Sequence, residues 1–119
     1  MLFAAPDESS WVGILRVSIY VPGSRSLKEK RKAVAQIRDR VRGKKNFSVA
    51  EVGHLDDHKR SVLTIALVAN NQRFIQSSLD RLAHEISTWR TATVEQATVM
   101  VHPVKDELAK TQYDEFIDG

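Results

Sequence analysis

Residues 11–43 read WVGILRVSIYVPGSRSLKEKRKAVAQIRDRVRG, and their pattern determines the architecture. Within residues 11–21, apolar side chains recur at every second position, which is the period of a strand with one buried face. Residues 22–24, Pro-Gly-Ser, are typical of a turn. Residues 26–29, Ser-Leu-Lys-Glu, fit a capping box, in which the serine hydroxyl and the glutamate carboxylate bond to free amides at the start of a helix. The sequence therefore predicts a strand followed directly by a helix.

The spacing of apolar residues predicts the course of this helix. Its apolar side is formed by residues separated by seven, three and four positions, which lie along one side of a helix: Leu27, Val34, Ile37 and Val41. Gly43 is well placed to end the helix.

The remainder of the domain repeats these patterns. Strands are predicted over residues 47–52, 61–69 and 94–102, and the first two form an antiparallel pair across a polar connection at 53–59. A second helix is predicted after the Asn-Asn pair at 70–71, which supplies a helix cap. The apolar side of this helix consists of Ile75, Leu79, Leu82 and Ile86.

The order of elements is β-α-β-β-α-β, which predicts an α+β fold. Each helix has one apolar side to bury, and both are satisfied when the two helices pack on one face of a four-stranded antiparallel sheet. This is the ferredoxin-like arrangement. We expect the domain to span residues 11–103, after a flexible N-terminal extension at 1–10 and before an acidic C-terminal tail at 104–119.

Composition narrows the class of protein. The chain has 119 residues, of which 42% are hydrophobic and 28% are charged, so one folded domain is expected. Cysteine is absent, which excludes disulfides, thiolate metal sites and cysteine nucleophiles. No apolar run approaches the roughly 20 residues of a membrane span, and the first ten residues lack the basic segment of a secretory signal. We therefore expect a cytoplasmic protein that does not bind membranes.

Basic residues are concentrated in one segment. Residues 25–45 contain ten bases and two acids, a formal charge of +8 in a chain whose total is +3. Arg31, Arg38 and Arg42 fall within one narrow sector of the predicted helix, because each residue turns the helix by about 100°. A row of this kind follows a phosphate backbone without reading its sequence. The candidate nucleic-acid-binding residues are Arg25, Lys28, Arg31, Lys32, Arg38, Arg42 and Lys45.

Three interpretations of this row remain open. It binds phosphate or RNA, it is a solvated helix face, or it contacts an acidic protein surface. The usual RNA-binding platforms are disfavoured, because the first and third strands offer only Tyr20 for stacking a base and the Gly-x-x-Gly loop of a KH domain is absent. Any contact with RNA is therefore expected to be electrostatic.

No catalytic, cofactor or metal site is predicted, and the chain is not expected to be an enzyme. His54 and His58 flank Asp56 and Asp57, but this segment is predicted to be a loop, in which aspartates commonly bond to nearby backbone amides. A polar connector is therefore favoured over a metal site. Glu51 is a lone carboxylate in an apolar strand, and we expect it at an edge or in an ion pair with an arginine or lysine.

The sheet face opposite the helices is predicted to be an interface. Its side chains are small, β-branched and mostly uncharged, whereas a solvated face normally carries clear polar residues. A homodimer with a two-fold axis would cover it. The alternative is that apolar residues of the tail cover it, namely Leu108, Phe116 and Ile117. The predicted interface residues are Ile14, Arg16, Ser18, Tyr20, Val62, Thr64, Ala66 and Val68.

Two blocks of the sequence resemble a known family. Residues 22–31, Pro-Gly-Ser-Arg-Ser-Leu-Lys-Glu-Lys-Arg, closely resemble the Ser-Leu-Lys-x-Lys-Arg signature of the YlxP-like family of small bacterial proteins. Residues 48–53, Ser-Val-Ala-Glu-Val-Gly, are similar to the second strand of that family. His58 departs from the family, which often has an aromatic residue there. The resemblance implies the ferredoxin-like fold and genes that often lie beside translation-initiation and ribosome-assembly genes. It implies no enzymatic activity.

The sequence therefore predicts a non-catalytic accessory factor that binds RNA or a ribosomal particle through its first helix. The alternative is a small regulatory module that binds a ligand or another protein as a homo-oligomer. Ferredoxin-like modules of that kind place ligands where loops and sheet edges meet, beside glycine-rich turns after the first strand. Gly23 provides one such glycine.

Overall fold

The computed structural model describes residues 9–44 and 46–104, which form four strands and two helices in the predicted order. The elements are β1 (Trp11–Tyr20), α1 (Leu27–Arg42), β2 (Ser48–Gly53), β3 (Arg60–Ala69), α2 (Gln72–Thr88) and β4 (Thr93–Pro103). Lys45 lies outside the described residues, as do most of the predicted N-terminal extension and of the predicted acidic tail.

The four strands form one sheet in the order β2-β3-β1-β4, and every neighbouring pair is antiparallel. On the central strand β1, Leu15 lies opposite Ile65 of β3 on one side and Val99 of β4 on the other. α1 packs over β2, whereas α2 packs over β1, β3 and β4. Because both helices cover the same face, the predicted α+β, ferredoxin-like fold is confirmed.

The core lies between the helices and the sheet, and the alternation along the strands selects its residues. The central strands contribute six buried side chains, which are Leu15, Val17, Ile19, Leu63, Ile65 and Leu67. α2 contributes the four residues that its spacing predicts, Ile75, Leu79, Leu82 and Ile86. Burying each of these side chains contributes about 1.5–3 kcal/mol. Neither described helix is long and apolar enough to cross a membrane.

Both helices begin at the residues that the sequence indicates. The Ser26 hydroxyl accepts a hydrogen bond from the Glu29 amide at 3.1 Å, and the Glu29 carboxylate accepts one from the Arg25 amide at 3.0 Å. At the start of α2, the side-chain oxygen of Asn71 accepts a hydrogen bond from the Phe74 amide at 3.0 Å. These bonds satisfy amides that have no partner within the helix.

Removing the cap of α2 is expected to lower stability measurably. Asn71→Ala leaves the Phe74 amide without its acceptor and should reduce the free energy of unfolding by about 1 kcal/mol. Asn71→Asp keeps an acceptor oxygen at the helix start and should change that free energy by less than about 0.5 kcal/mol. Urea denaturation of the three proteins measures both effects. An alanine variant as stable as the parent would contradict the capping role.

α1 differs from its prediction near its start, whereas Gly43 follows its last residue as predicted. Its buried side includes Lys30, whereas Leu27, which the spacing predicts to be buried, is only half-buried. The helix ends at Arg42, and Gly43 follows with an ordinary φ of −65°. The left-handed residue in the connection to β2 is Asn46, with a φ of 75°, a conformation that asparagine adopts more readily than most residues.

β1 and β4 bring the two ends of the described domain together. The Val104 amide, just after β4, donates a hydrogen bond to the Ser10 carbonyl, just before β1, at 2.8 Å. Residues 10 and 104 are therefore neighbours in space.

Candidate nucleic-acid interface

The basic residues on the surface of α1 have no anionic partners in the described chain. Lys28, Arg31, Lys32 and Arg42 are exposed, as is Arg25 in the turn before the helix. None of these five side chains forms an ion pair or a hydrogen bond within the ranges 9–44 and 46–104. Within the part of the chain that the structure describes, no carboxylate neutralises these exposed charges.

Three of the four arginines of α1, namely Arg31, Arg38 and Arg42, point away from α2. Arg40 lies roughly 160–200° around the helix axis from the other arginines, and its guanidinium stacks 4.3 Å from the centroid of the Trp89 ring at the end of α2. Because Arg40 faces α2, the opposite flank of α1 faces outward beside β2, the edge strand that α1 covers. We define the α1 basic row as Lys28, Arg31, Lys32, Arg38 and Arg42.

Arg38 is the least exposed member of the α1 basic row. Its side chain is 35% exposed, and its Nε lies 4.0 Å from a carboxylate oxygen of Asp39. This Nε is buried and has no hydrogen-bond partner among the described residues. Since a buried donor without an acceptor is costly, Arg38 places an unsatisfied donor at the inner border of the row.

Lys30 belongs to the fold and not to the α1 basic row. Its ammonium group is fully buried and donates to the Glu51 carboxylate at 2.8 Å and to the His54 carbonyl at 3.0 Å. The Ser61 hydroxyl donates to the same carboxylate oxygen at 2.6 Å. The predicted ion pair between Glu51 and a basic residue is therefore confirmed. Lys30 lies four residues before the buried Val34 and therefore on the same side of the helix. This spacing is the sequence signal that could have identified Lys30 as the partner of Glu51.

Two further cations are held by structural partners. Lys44 pairs with Glu85 of α2 at 2.6 Å. Arg60 donates to Glu95 at 3.1 Å, which raises the pKa of the guanidinium, and it lies 5.0 Å from the centroid of the Tyr20 ring. Because Arg60 covers the ring, Tyr20 is poorly placed to stack a base. This geometry disfavours base stacking at Tyr20.

The β2–β3 loop, residues 54–59, has the bonding of a polar connector. The Asp57 carboxylate accepts hydrogen bonds from the amides of Lys59 at 2.7 Å and Arg60 at 3.1 Å, and the bond from Lys59 lowers the pKa of this carboxyl. His54 adopts a left-handed φ of 55°, which accompanies the donation of Lys30 to its carbonyl. Across residues 9–44 and 46–104, no group of three or more histidine, aspartate and glutamate side chains is placed to hold a metal ion.

Surface cavities lie at two ends of the helix layer. One of about 350 Å³ lies beside the turn after β1, where Gly23 has a left-handed φ of 77°, and Lys32 lines it. Another of about 280 Å³ lies between α2 and the α1–β2 connection, and Phe74 and Arg81 line it. Both are open to solvent, and the first adjoins the α1 basic row through Lys32.

The eight predicted interface residues lie together on the open face, which is the side of the sheet away from the helices. Ile14, for example, lies opposite Ala66. Val62 differs from the others because it is only 4% exposed. The chain at Gly53 covers it, so closely that a Cβ added to this glycine would lie 3.0 Å from the Val62 side chain. Val62 therefore offers little surface to a partner.

Two solved structures are similar to this chain in shape. The de novo designed protein Foldit4 has a TM-score of 0.44 and 13% identity, over 81% of this chain and 97% of the designed chain. A C-terminal segment of the alpha subunit of aIF2 from Pyrococcus abyssi has a TM-score of 0.43 and 19% identity, over 81% of this chain and 50% of that chain. At these TM-scores, neither similarity supports a function.

Sequence comparison identifies the family. The protein of Bacillus subtilis (strain 168) named "Uncharacterized protein YlxP" is 31% identical over 71 residues, which are 60% of this chain and 77% of that protein. The profile of the family described as "Protein of unknown function (DUF503)" matches residues 12–99, which include all but the outermost residues of the described domain. The predicted YlxP-like resemblance is thereby confirmed, and the chain belongs to the DUF503 family.

Proposed function

We propose that this chain is a non-catalytic accessory factor that binds structured RNA, free or within a ribosomal particle, through the α1 basic row. The observation that supports this proposal is the exposure of four cations on one helix with no anionic partner in the described chain. The nearby bases that serve the fold are engaged elsewhere, namely Lys30, Arg40 and Lys44.

The α1 basic row has dimensions suited to a phosphate backbone. From Lys28 to Arg42 the helix rises about 21 Å, a length over which a nucleic-acid duplex presents several phosphates. Arg38, whose side chain is 35% exposed, adds a further positive charge at the inner border of the row. Contacts to phosphates without contacts to base edges give affinity with little sequence preference.

The choice of RNA among polyanions rests on the resemblance to the YlxP-like family, whose genes often lie beside translation-initiation and ribosome-assembly genes. An acidic protein surface would also attract the row, but nucleic acid differs in its response to salt. Because binding to nucleic acid releases condensed counterions, the logarithm of its binding constant falls linearly with the logarithm of salt concentration. Contacts of this non-specific kind give dissociation constants of about 10⁻⁴–10⁻⁶ M at physiological salt.

Reversing three charges of the row is expected to weaken RNA binding strongly. The variant Lys28→Glu, Arg31→Glu, Lys32→Glu should bind a duplex RNA at least about 10-fold more weakly at low salt, and its salt slope should fall by about 2–3, since each phosphate contact contributes about 0.7–0.9. All three side chains are exposed, and Lys28 lies in the first turn of α1, where an acidic side chain interacts favourably with the helix dipole, so the fold should be retained. Fluorescence anisotropy over a salt series measures affinity and slope. Co-sedimentation with ribosomal subunits at low and high salt tests whether the protein binds RNA within a ribosomal particle.

The matched control changes the net charge by the same amount as the row variant, but at positions outside the α1 basic row. Arg73→Glu, Arg81→Glu and Arg90→Glu reverse three exposed bases on or just after α2. This variant should keep most of the affinity and the salt slope of the parent. Equal losses in the two variants would show that binding follows net charge instead of the row. A parent protein whose binding to RNA is independent of salt would refute the proposed function.

A further inference from the structure

The open face carries most of the large exposed apolar side chains of the described chain. Val52, Val68 and Met100 lie on this face and are 52%, 67% and 51% exposed. The other two large hydrophobic residues with such exposure are Leu55 in the β2–β3 loop and Phe74 on α2. A solvated antiparallel sheet normally presents polar side chains on its open side. The described chain therefore leaves an apolar surface uncovered.

Two of these three residues, Val68 and Met100, lie in one half of the open face, whereas Val52 lies towards the other half, because its neighbour Gly53 pairs with Val62. The strand register places Ile14 between Ala66 of β3 and Met100 of β4, and it places Val12 opposite Val68. A shallow depression of about 240 Å³ continues this surface across β2 and β3. We refer to this region, centred on Ile14, as the apolar half.

The charged side chains of the open face lie outside the apolar half. Arg60 and Glu95 pair with each other at the far end of the sheet. Arg16 marks the boundary, flanked by Thr64 and Thr98 on the neighbouring strands. Among the described residues, the apolar half contains no aspartate, glutamate, lysine or arginine. Its titratable side chain is His102, opposite Val12 on the edge strand β4, so a copy of this surface can face it without bringing lysines, arginines or carboxylates together.

We infer that a second copy of this chain covers the open face, with a two-fold axis close to Ile14. Two-fold symmetry places residues near the axis against their own equivalents, which an uncharged surface tolerates and a charged surface does not. Arg16 lies two residues from Ile14 along β1, at the border of the apolar half, where its long side chain can extend towards water. Two sheets of the same twist pack face to face at about 10 Å.

The size of the open face suits such a dimer. Strands of six to eleven residues at a spacing of about 4.8 Å give the whole face roughly 600 Å². Two copies that cover the whole face bury roughly 1,200 Å², the lower limit for specific and stable interfaces, and the apolar half supplies about half of this area. An interface of this size, apolar at its centre, is expected to have a dissociation constant in the micromolar range.

In this dimer the helices lie on the outside, because both pack on the opposite face of the sheet. The two α1 basic rows then face solvent on opposite sides of the assembly. The dimer does not depend on what the rows bind, so the two proposals stand or fall separately.

Sedimentation equilibrium of the full chain and two double variants tests the dimer. Val68→Lys with Met100→Lys places two ammonium groups in the apolar half, and it should raise the dimer dissociation constant about 100-fold or more, because each charge would be buried without a partner. Leu55→Lys with Phe74→Lys adds the same charge at similarly exposed positions outside the face. This control should change the constant by less than about threefold, since exposed charges are screened.

The possible results distinguish a second copy of this chain from the other possible covers of the open face. A parent that remains monomeric up to about 1 mM overturns the inference, and it would leave residues 105–119 or another protein as the cover. A dimer that persists in the Val68 and Met100 variant overturns it as well, as does an equal loss in both variants. If the double variant does not fold, Met100→Lys alone, on the edge strand β4, provides the same test.

Discussion

Replacing Glu51 with leucine is expected to lower the free energy of unfolding by about 3–5 kcal/mol. The change leaves the fully buried Lys30 ammonium with the His54 carbonyl as its one remaining hydrogen-bond partner in the described chain. The Ser61 hydroxyl loses its acceptor at the same time. The cost is large because a charge that stays buried has neither its counterion nor water. Urea denaturation at neutral pH measures it.

Two further variants test whether the two residues act as a pair. Lys30→Met should cost only about 1–3 kcal/mol, because the Glu51 side chain is 17% exposed and keeps its hydrogen bond from Ser61. The double variant Lys30→Met, Glu51→Leu should recover about 2 kcal/mol or more of the loss in Glu51→Leu, since no charge stays buried without a partner, while the Ser61 hydroxyl still lacks its acceptor. A double variant destabilised by the sum of the two single costs would refute the pairing.

Gly13→Ala should lower the free energy of unfolding by about 2–3 kcal/mol. Gly13 lies on β1 beneath α2, and a Cβ added there would overlap the Ile75 side chain and lie 2.7 Å from Cδ1 of Leu79. Both side chains are fully buried, so the overlap is relieved only if α2 moves away from the sheet. Thermal and urea unfolding of the variant measure the loss.

Gly43→Ala is the matched control for this substitution. The nearest atoms to its added Cβ lie at 3.4 and 3.5 Å, and its φ of −65° suits alanine. Stability should therefore be unchanged or rise by up to about 1 kcal/mol. A Gly13→Ala variant as stable as this control would show that α2 does not pack tightly on β1.

The elements of the fold could be predicted because each depends on residues close together in the sequence. Alternation over 11–21 requires only that one strand face be buried. The caps at Ser26 and Asn71 bond to amides three residues away. Once six such elements are in order, two layers are the simple way to bury both apolar helix sides.

The features that sequence reasoning missed depend on contacts between distant segments. The burial of Lys30 requires Glu51, which lies 21 residues away. The burial of Val62 depends on the path of β2, whose pairing with β3 is irregular between Glu51 and Gly53. At Gly13 the side chains of α2 approach the backbone of β1 closely. The alternating pattern of the strand shows only that this glycine faces inward, and it does not show how close α2 comes.

In the candidate site, too, local features could be predicted from the sequence, whereas contacts between distant segments could not. A count of charge over residues 25–45 identifies the segment but treats all of its bases alike. In the structure, Lys30 contacts β2, Arg40 contacts Trp89 and Lys44 contacts Glu85. The outward bases of α1 could be predicted from the angular positions of their residues, because these depend only on the helical period.

The hydrogen bond between the Val104 amide and the Ser10 carbonyl also has a practical consequence for protein engineering. A short flexible linker can join these two positions, and new termini can be opened in the β2–β3 loop, giving a circular permutant that retains all four strands. Reporter domains fused at residues 10 and 104 would both emerge beside β4. The fusion at residue 104 would then lie across the full width of the sheet from β2, and the fusion at residue 10 two strands away from it.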